Sequence, residues 1–478
     1  MGKALFNNRP RVQWFFMGCA ALLAVRQLWW TLFGSFNVDE FENFQVLWAI
    51  LHNSWPFRDF IYNHPPAFNL LLYPILAAFG TGADILIWTR LALLPAQFLS
   101  LYLIGQIARR CNGNPSAPWI AVSLFLASPF IAMNLVEVRH DNLALPLVLG
   151  GIIFGFDYLR QTKKSALTLA LSAGLFGLSL LFSIKSIMAI LMMALVMEGQ
   201  AVRDFKEAFG RRVLRLLIYG GVVALPMAIC AALMWAAGIL DGRQLWVMLT
   251  SGHLVLIRAD RFSPGSELVW SRLLVHPVAA LIGLFFAMQL LFSKLKTHRW
   301  EYKYLAGVAI SAFFQWLFLW TFIAQYAIVP FLFFCLVAGI WLANRVPAQL
   351  IGLFLLAVVV ANLPLAPRYY ETRTRQLEKF SCILNHFPLE TPLLDSFSGL
   401  SCFHSFIGRD LYYRPMFFWP DFYQAQNETV VAALLRKKYG GVIVDGTQAL
   451  YPSSVRRIIE FNYQPAPCAG VLEPKPDF

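Results

Sequence analysis

Residues 34–66 read GSFNVDEFENFQVLWAILHNSWPFRDFIYNHPP, an acid-bearing aromatic stretch set directly after the apolar run 13–33. Such a run is long enough to cross a bilayer, since about 20 residues rising ~1.5 Å each span the ~30 Å of hydrocarbon. Asp39, Glu40 and Glu42 therefore stand at a membrane edge. Further apolar runs occupy roughly 85–108, 117–135, 142–159, 165–182, 184–200, 213–237, 276–293, 304–322, 326–343 and 348–365. The chain reads as a polytopic α-helical membrane protein with about eleven transmembrane helices.

Composition agrees. Of 478 residues, 58% are hydrophobic and 14% charged, whereas a soluble domain carries about 25% charged residues to keep a polar skin. Seven cysteines are too few for a disulfide scaffold. The formal charge of +13 lies mostly in loops between apolar runs: Arg109 and Arg110, Arg160 to Lys164, Arg203 to Arg215, Lys294 to Lys303, and Arg345. By the positive-inside rule these loops and the N-terminus are cytoplasmic, and no nucleic-acid partner is implied. The first run is too long for a signal-peptide core and lacks a small-residue cleavage site, so it reads as a retained anchor.

The segment 64–80, HPPAFNLLLYPILAAFG, is apolar but short. A full crossing here would put every later basic loop outside, so it is expected as a juxtamembrane or re-entrant helix on the outer side. Residues 1–366 then form a transmembrane domain with the outer loop 34–66. Residues 367–478 form a small extracytoplasmic α/β domain, periplasmic or extracellular, beyond a plasma (inner) membrane. In it TPLLDSFS (391–398) and GVIVDG (441–446) read as strands, and ETVVAALLRKKY (428–439) and SSVRRIIEFNY (453–463) as helices. Two of Cys382, Cys402 and Cys468 could pair there, with the pairing left open. RDLYYRPMFFWPDFYQ (409–424) is aromatic enough for a packed core, a membrane-resting surface or a sugar platform.

Chemistry concentrates in the outer segments. Asp39 and Glu40 are expected on a non-helical loop, pointing in different directions. VEVRHDN (136–142) squeezes Glu137, Arg139, His140 and Asp141 between two apolar runs, and FSIKS (182–186) leaves Lys185 alone between two more. A snorkelling interfacial lysine is the bland alternative for Lys185. Together these residues put acids and cations at one depth, which suits a lipid-linked phosphate and an activated hydroxyl. The sequence has no P-loop, no GxGxxG after a strand, no HExxH and no paired CxxC, so ATPase, dinucleotide and zinc chemistry have no support.

The order of acidic pair, aromatic loop, HPP, RHD and a later lone Lys resembles the GT-C glycosyltransferases. It is most similar to the branch of lipid A aminoarabinose transferases and protein O-mannosyltransferases. The resemblance implies an integral-membrane inverting transferase that moves a sugar from a polyprenyl-phosphate donor to an acceptor hydroxyl on a cell-envelope lipid, glycan or protein. It places the catalytic base on Asp39, its neighbour on Glu40 and a later acid on Asp141. Substrate-binding positions fall on Asn63, His64, Arg139, His140, Lys185, Arg261 of IRADRFSPG (257–265), and Tyr326. It also implies no cofactor or metal, although Asp39, Glu40 and Asp141 are hard oxygen donors of the kind a divalent ion takes. Two positions depart from the branch: Glu42 stands where an Arg is usual, and Gln325-Tyr326 replaces Arg-Tyr ahead of Pro330. Both changes remove a cation from the expected donor site.

A transporter, flippase or polymerase of lipid-linked glycans is the alternative. It would place ionisable residues along a path inside the spans, where only Arg26, Arg90 and Asp157 are found. A non-enzymatic scaffold with an external binding domain is a third reading, and Asp39→Asn separates it from an enzyme.

Overall fold

The computed structural model describes residues 9–476, except 57, 61, 63, 112–113, 128, 162–164, 205–207, 241, 243–284, 286–287, 289–299, 319–327, 363–365, 396–397, 408–419, 445–450 and 452. Four described helices are long and apolar enough to cross a membrane: α1 (Arg9–Phe33, apolar from Val12), α5 (Ile85–Cys111), α8 (His140–Arg160) and α11 (Phe209–Ala236). Shorter apolar helices accompany them: α6 (Ala117–Ala127), α9 (Ala166–Leu180), α10 (Ile187–Asp204), α13 (Ile328–Arg345) and α14 (Ala348–Asn362). Trp300–Phe318 forms α12. The run expected at 276–293 lies largely outside the described residues.

Prolines account for two departures from the expected segments. The run 117–135 divides at Pro129 into α6 and α7 (Pro129–Val136), because proline has no N–H to give and its ring clashes with the preceding turn. Likewise 64–80 is two short helices, α3 (Ala67–Leu71) and α4 (Tyr73–Phe79), with Pro74 in the first turn of the second. Phe68, Leu72 and Leu76 are buried while Leu70, Leu71 and Tyr73 are exposed, so the pair lies with one apolar side against the protein and one outward.

The bundle packs α8 against α5 and α9, α9 against α11, and α13 against α6 and α12. Gly339 lets α13 approach α6 closely: a Cβ there would lie 2.8 Å from Ala121. Charged groups gather at the two ends. At one end Arg160 meets Glu301 at 2.5 Å and Arg110 meets Asp157 at 3.4 Å. At the other stand the acids of the 34–66 stretch.

The C-terminal region holds a four-stranded sheet of order β1-β2-β4-β3, made of Leu393–Asp395, Gly441–Ile443, Tyr463–Pro465 (β3) and Val471–Pro474 (β4). β1 and β2 are parallel and the other two pairings antiparallel. The expected helices appear as α16 (Pro420–Leu435) and α17 (Ser453–Asn462), the latter burying Val455 and Ile459 one turn apart. A disulfide joins Cys382 to Cys468, and Cys402 stays a free buried thiol. Residues 409–419 of the aromatic stretch lie outside the described residues.

This region is not separate from the acid-bearing segment. Phe380 and Ile383 of α15 (Ala366–His386) share a core with Phe41, Phe44 and Phe403, and the Phe41 and Phe380 rings meet edge-on at 5.4 Å. Gly399 sits at φ +83°, and a Cβ there would lie 2.6 Å from Phe41 Cβ, so the strand-following turn rests directly on that ring.

Candidate active site

Residues 38–51 are a helix, which corrects the expected non-helical loop: α2 runs Val38–Leu51, and Asp39 and Glu40 occupy its first turn. The cause is local. Asn37 caps the helix, its side chain accepting from Asp39 N, while Glu40 Oε1 accepts from Asn37 N at 2.9 Å. This reciprocal pairing satisfies donors that a helix start leaves open, and acids there also meet the helix dipole favourably. Adjacent helical residues still diverge by about 100°, so the two carboxylates part company.

Glu40 turns inward. It takes Arg90 Nη2 at 2.5 Å and Nε at 2.8 Å, and Val138 N at 2.9 Å. Arg90 also donates to Gly34 O and Ser35 O, so one guanidinium ties the end of α1 and the start of α2 to α5. Asn43 Nδ2, one turn on, donates to Asp39 O and Val138 O, and its Oδ1 accepts from Tyr62 and Asn69. The 136–139 turn is shaped by Asn142, whose Nδ2 donates to Asn134 O, Leu135 O and Glu137 O.

Asp39 turns toward that turn. Arg139 Nη1 lies 2.6 Å from Asp39 Oδ2 and 3.3 Å from Glu137 Oε2, and Arg139 Nη2 lies 3.6 Å from Asp141 Oδ2. Asp141 in turn takes Lys185 Nζ at 2.5 Å and the Ser183 hydroxyl at 2.6 Å. The lone lysine of FSIKS thus has a partner 44 residues away. The His64 and His140 rings lie 3.7 Å apart between centroids, with Tyr62 and Phe68 edge-on to them. Asp39, Glu40, His64, Arg139, His140, Asp141 and Lys185 are therefore one cluster. Asn63, Arg261 and Tyr326 lie outside the described residues.

Burial and charge set the ionisation. Burial pushes the Glu137 carboxyl up to about 7, with Glu40 and Asp39 adding to the rise and Arg139 opposing it. Burial also drives His64 down to about 3, with Lys185 and Arg139 assisting, so its imidazole is neutral at physiological pH. Arg139 is held above its ordinary value because Asp39, Glu137 and Asp141 outweigh burial.

Three residues that hold this cluster together are not among the site candidates read from the sequence. Arg90 had a signal, a charge inside an apolar span. Asn37 had another, the Asn-x-x-Glu spacing of a capping box. The Gln376 side chain had none: it receives Phe36 N at 2.8 Å and donates to Phe36 O at 2.9 Å, closing a two-bond clamp from α15 onto the residue before the cap.

No family model matches the sequence, and no curated protein matches it. Solved structures do resemble it. ArnT from Cupriavidus metallidurans bound to undecaprenyl phosphate superposes with a TM-score of 0.61 at 15% identity, over 92% of this chain and 95% of that one. ArnT in the apo state gives 0.56 at 15% identity, over 91% and 94%. The Archaeoglobus fulgidus oligosaccharyltransferase in the apo form gives 0.47 at 13% identity, over 84% and 63%. The chain shares the GT-C fold of ArnT.

Proposed function

We propose that the protein is a membrane glycosyltransferase that moves a sugar from a polyprenyl-phosphate carrier to an acceptor hydroxyl of the cell envelope, with Asp39 as general base. The observation that carries this reading is exposure. The Asp39 side chain is 24% exposed, whereas Glu40, Glu137 and Asp141 are at 0%, 9% and 5%. A base must reach its substrate, and of the four acids Asp39 is the one open enough to do so. Its Oδ2 is held by Arg139 at 2.6 Å, which orients the carboxylate.

An acceptor hydroxyl is a poor nucleophile until its proton leaves in the transition state, and Asp39 receives that proton. Attack on the anomeric carbon expels the lipid phosphate in one in-line displacement, with inversion. Arg139 and Lys185 stabilise the departing charge in a partly dehydrated setting where such contacts are strong. Asp141, itself held by Ser183, keeps Lys185 in place, and the neutral His64 ring and the His140 ring wall the cleft. Glu40 acts through position, fixing the first turn of α2. The site then opens on the side away from the basic helix ends, with 367–478 as an external domain above it. ArnT bound to undecaprenyl phosphate shares the fold, which supports a polyprenyl-phosphate carrier.

Mass spectrometry of envelope lipids, glycans and proteins from cells with and without the chain tests the reading. A sugar modification lost with the chain and restored by it is expected; an unchanged envelope counts against it.

A further inference from the structure

Far from the acid cluster, helices α9 and α11 border a cavity of about 270 Å³. Leu169, Ala173, Leu214 and Val222 supply apolar walls, and Arg211, Arg215 and Tyr219 recur every fourth residue along one side. The stretch from Arg211 to Val222 rises about 16 Å along α11. Beyond it the helices touch, since a Cβ on Gly177 would lie 2.5 Å from Val223 O, so the cavity is closed at that end.

Its polar groups are unusual for their place. Helix starts favour acids, yet the first turn of α11 has none and no side chain caps it. Instead Arg211, Arg212 and Arg215 fall in its first two turns. Glu198 of α10 meets Arg212 at 3.2 Å and Arg215 at 2.6 Å. One acid therefore serves two of the three guanidinium groups, and Arg211 has no ion pair among the described residues. One turn below Arg215 the Tyr219 hydroxyl is buried and makes no hydrogen bond of good geometry; its neighbour, the Ser172 hydroxyl, is close enough to interact with it but donates to Gly151 O at 2.8 Å. A buried hydroxyl so weakly paired is costly, and a polar group of a ligand would relieve it.

We propose that this cavity binds an anionic phospholipid, with the phosphate on Arg211 and Arg215, an ester carbonyl at the Tyr219 hydroxyl and an acyl chain along the leucine-lined wall. The spacing suits it: Tyr219 lies about 6 Å along the axis from Arg215, the separation of a lipid phosphate from its glycerol esters. The excess positive charge selects an anionic head over a zwitterionic one. The proposal rests on the apolar bundle alone and stands apart from the reaction assigned to Asp39.

The test is native mass spectrometry of the purified full chain, stripped of lipid in detergent and titrated with phosphatidylglycerol, with phosphatidylcholine of the same acyl chains, or with undecaprenyl phosphate. One tightly retained phosphatidylglycerol is expected, held about fivefold better than phosphatidylcholine, the factor one surface cation supplies. Arg211→Gln and Ala170→Phe, both at exposed positions lining the cavity, should each remove that preference while keeping the lipid-free melting temperature. Equal retention of the two phospholipids, or unchanged phosphatidylglycerol retention in either variant, overturns the site. Undecaprenyl phosphate held more tightly than phosphatidylglycerol overturns the assigned ligand.

Discussion

Arg90 and Glu40 form a two-bond ion pair, 2.5 Å from Nη2 to Oε1 and 2.8 Å from Nε to Oε2, with both side chains fully withdrawn from solvent. Removing one member of such a pair leaves a bare charge in a low-dielectric setting. Arg90→Ala should therefore cost about 3–5 kcal/mol, read as a lower unfolding midpoint in detergent. A double-mutant cycle with Glu40→Gln should show strong coupling, because the two changes break the same contact. Independent, additive effects would contradict the pairing.

Glu137 gives the site a pH signature. Its folded-state value is raised to about 7, so between the ordinary carboxylate range and about 7 the folded chain holds a proton that the unfolded chain releases. Stability is then fully present at the acid end of that window and falls as pH rises through about 7. Unfolding midpoints measured across the window should decline in the wild type and flatten in Glu137→Gln. An identical slope in both proteins would count against it.

The cluster was only partly legible in the sequence. Asp39, Arg139, Asp141 and Lys185 could be assigned one depth because each flanks an apolar run, and a bilayer turns sequence position into height. Partners could not be assigned, since Lys185 with Asp141 and Arg90 with Glu40 are each joined across two helices. The helix at 38–51 is masked in the sequence by its dense aromatic residues, which read as a sugar-stacking loop, although Asn37 and Glu40 carry the cap. Contacts such as Phe41 with Phe380 and Gly399 have no local trace at all. They arise only when the C-terminal region docks.

That docking has a consequence for turnover. Gln376 clamps Phe36 just ahead of the cap of α2, and small displacements of a reacting group cost rate steeply. Gln376→Ala should lower kcat by roughly tenfold with donor KM nearly unchanged, while Gln376→Glu, which keeps the acceptor oxygen, should fall between. A change confined to KM would place Gln376 outside the positioning role.

Lys185 is the proposed phosphate contact. Lys185→Ala should weaken donor binding, and Lys185→Arg should retain part of it because the charge survives while the point geometry does not. Donor titration of both variants decides; unchanged affinity in the Ala variant returns Lys185 to a purely structural partner of Asp141.

The central claim is that Asp39 takes the acceptor proton, and single-turnover kinetics of purified Asp39→Asn with saturating donor tests it most directly. The substitution keeps size and a hydrogen bond to Arg139 but removes basicity. Donor binding and melting temperature should stay near wild type while the transfer rate falls by about 10² to 10⁴. A transfer rate equal to the wild type would contradict the account.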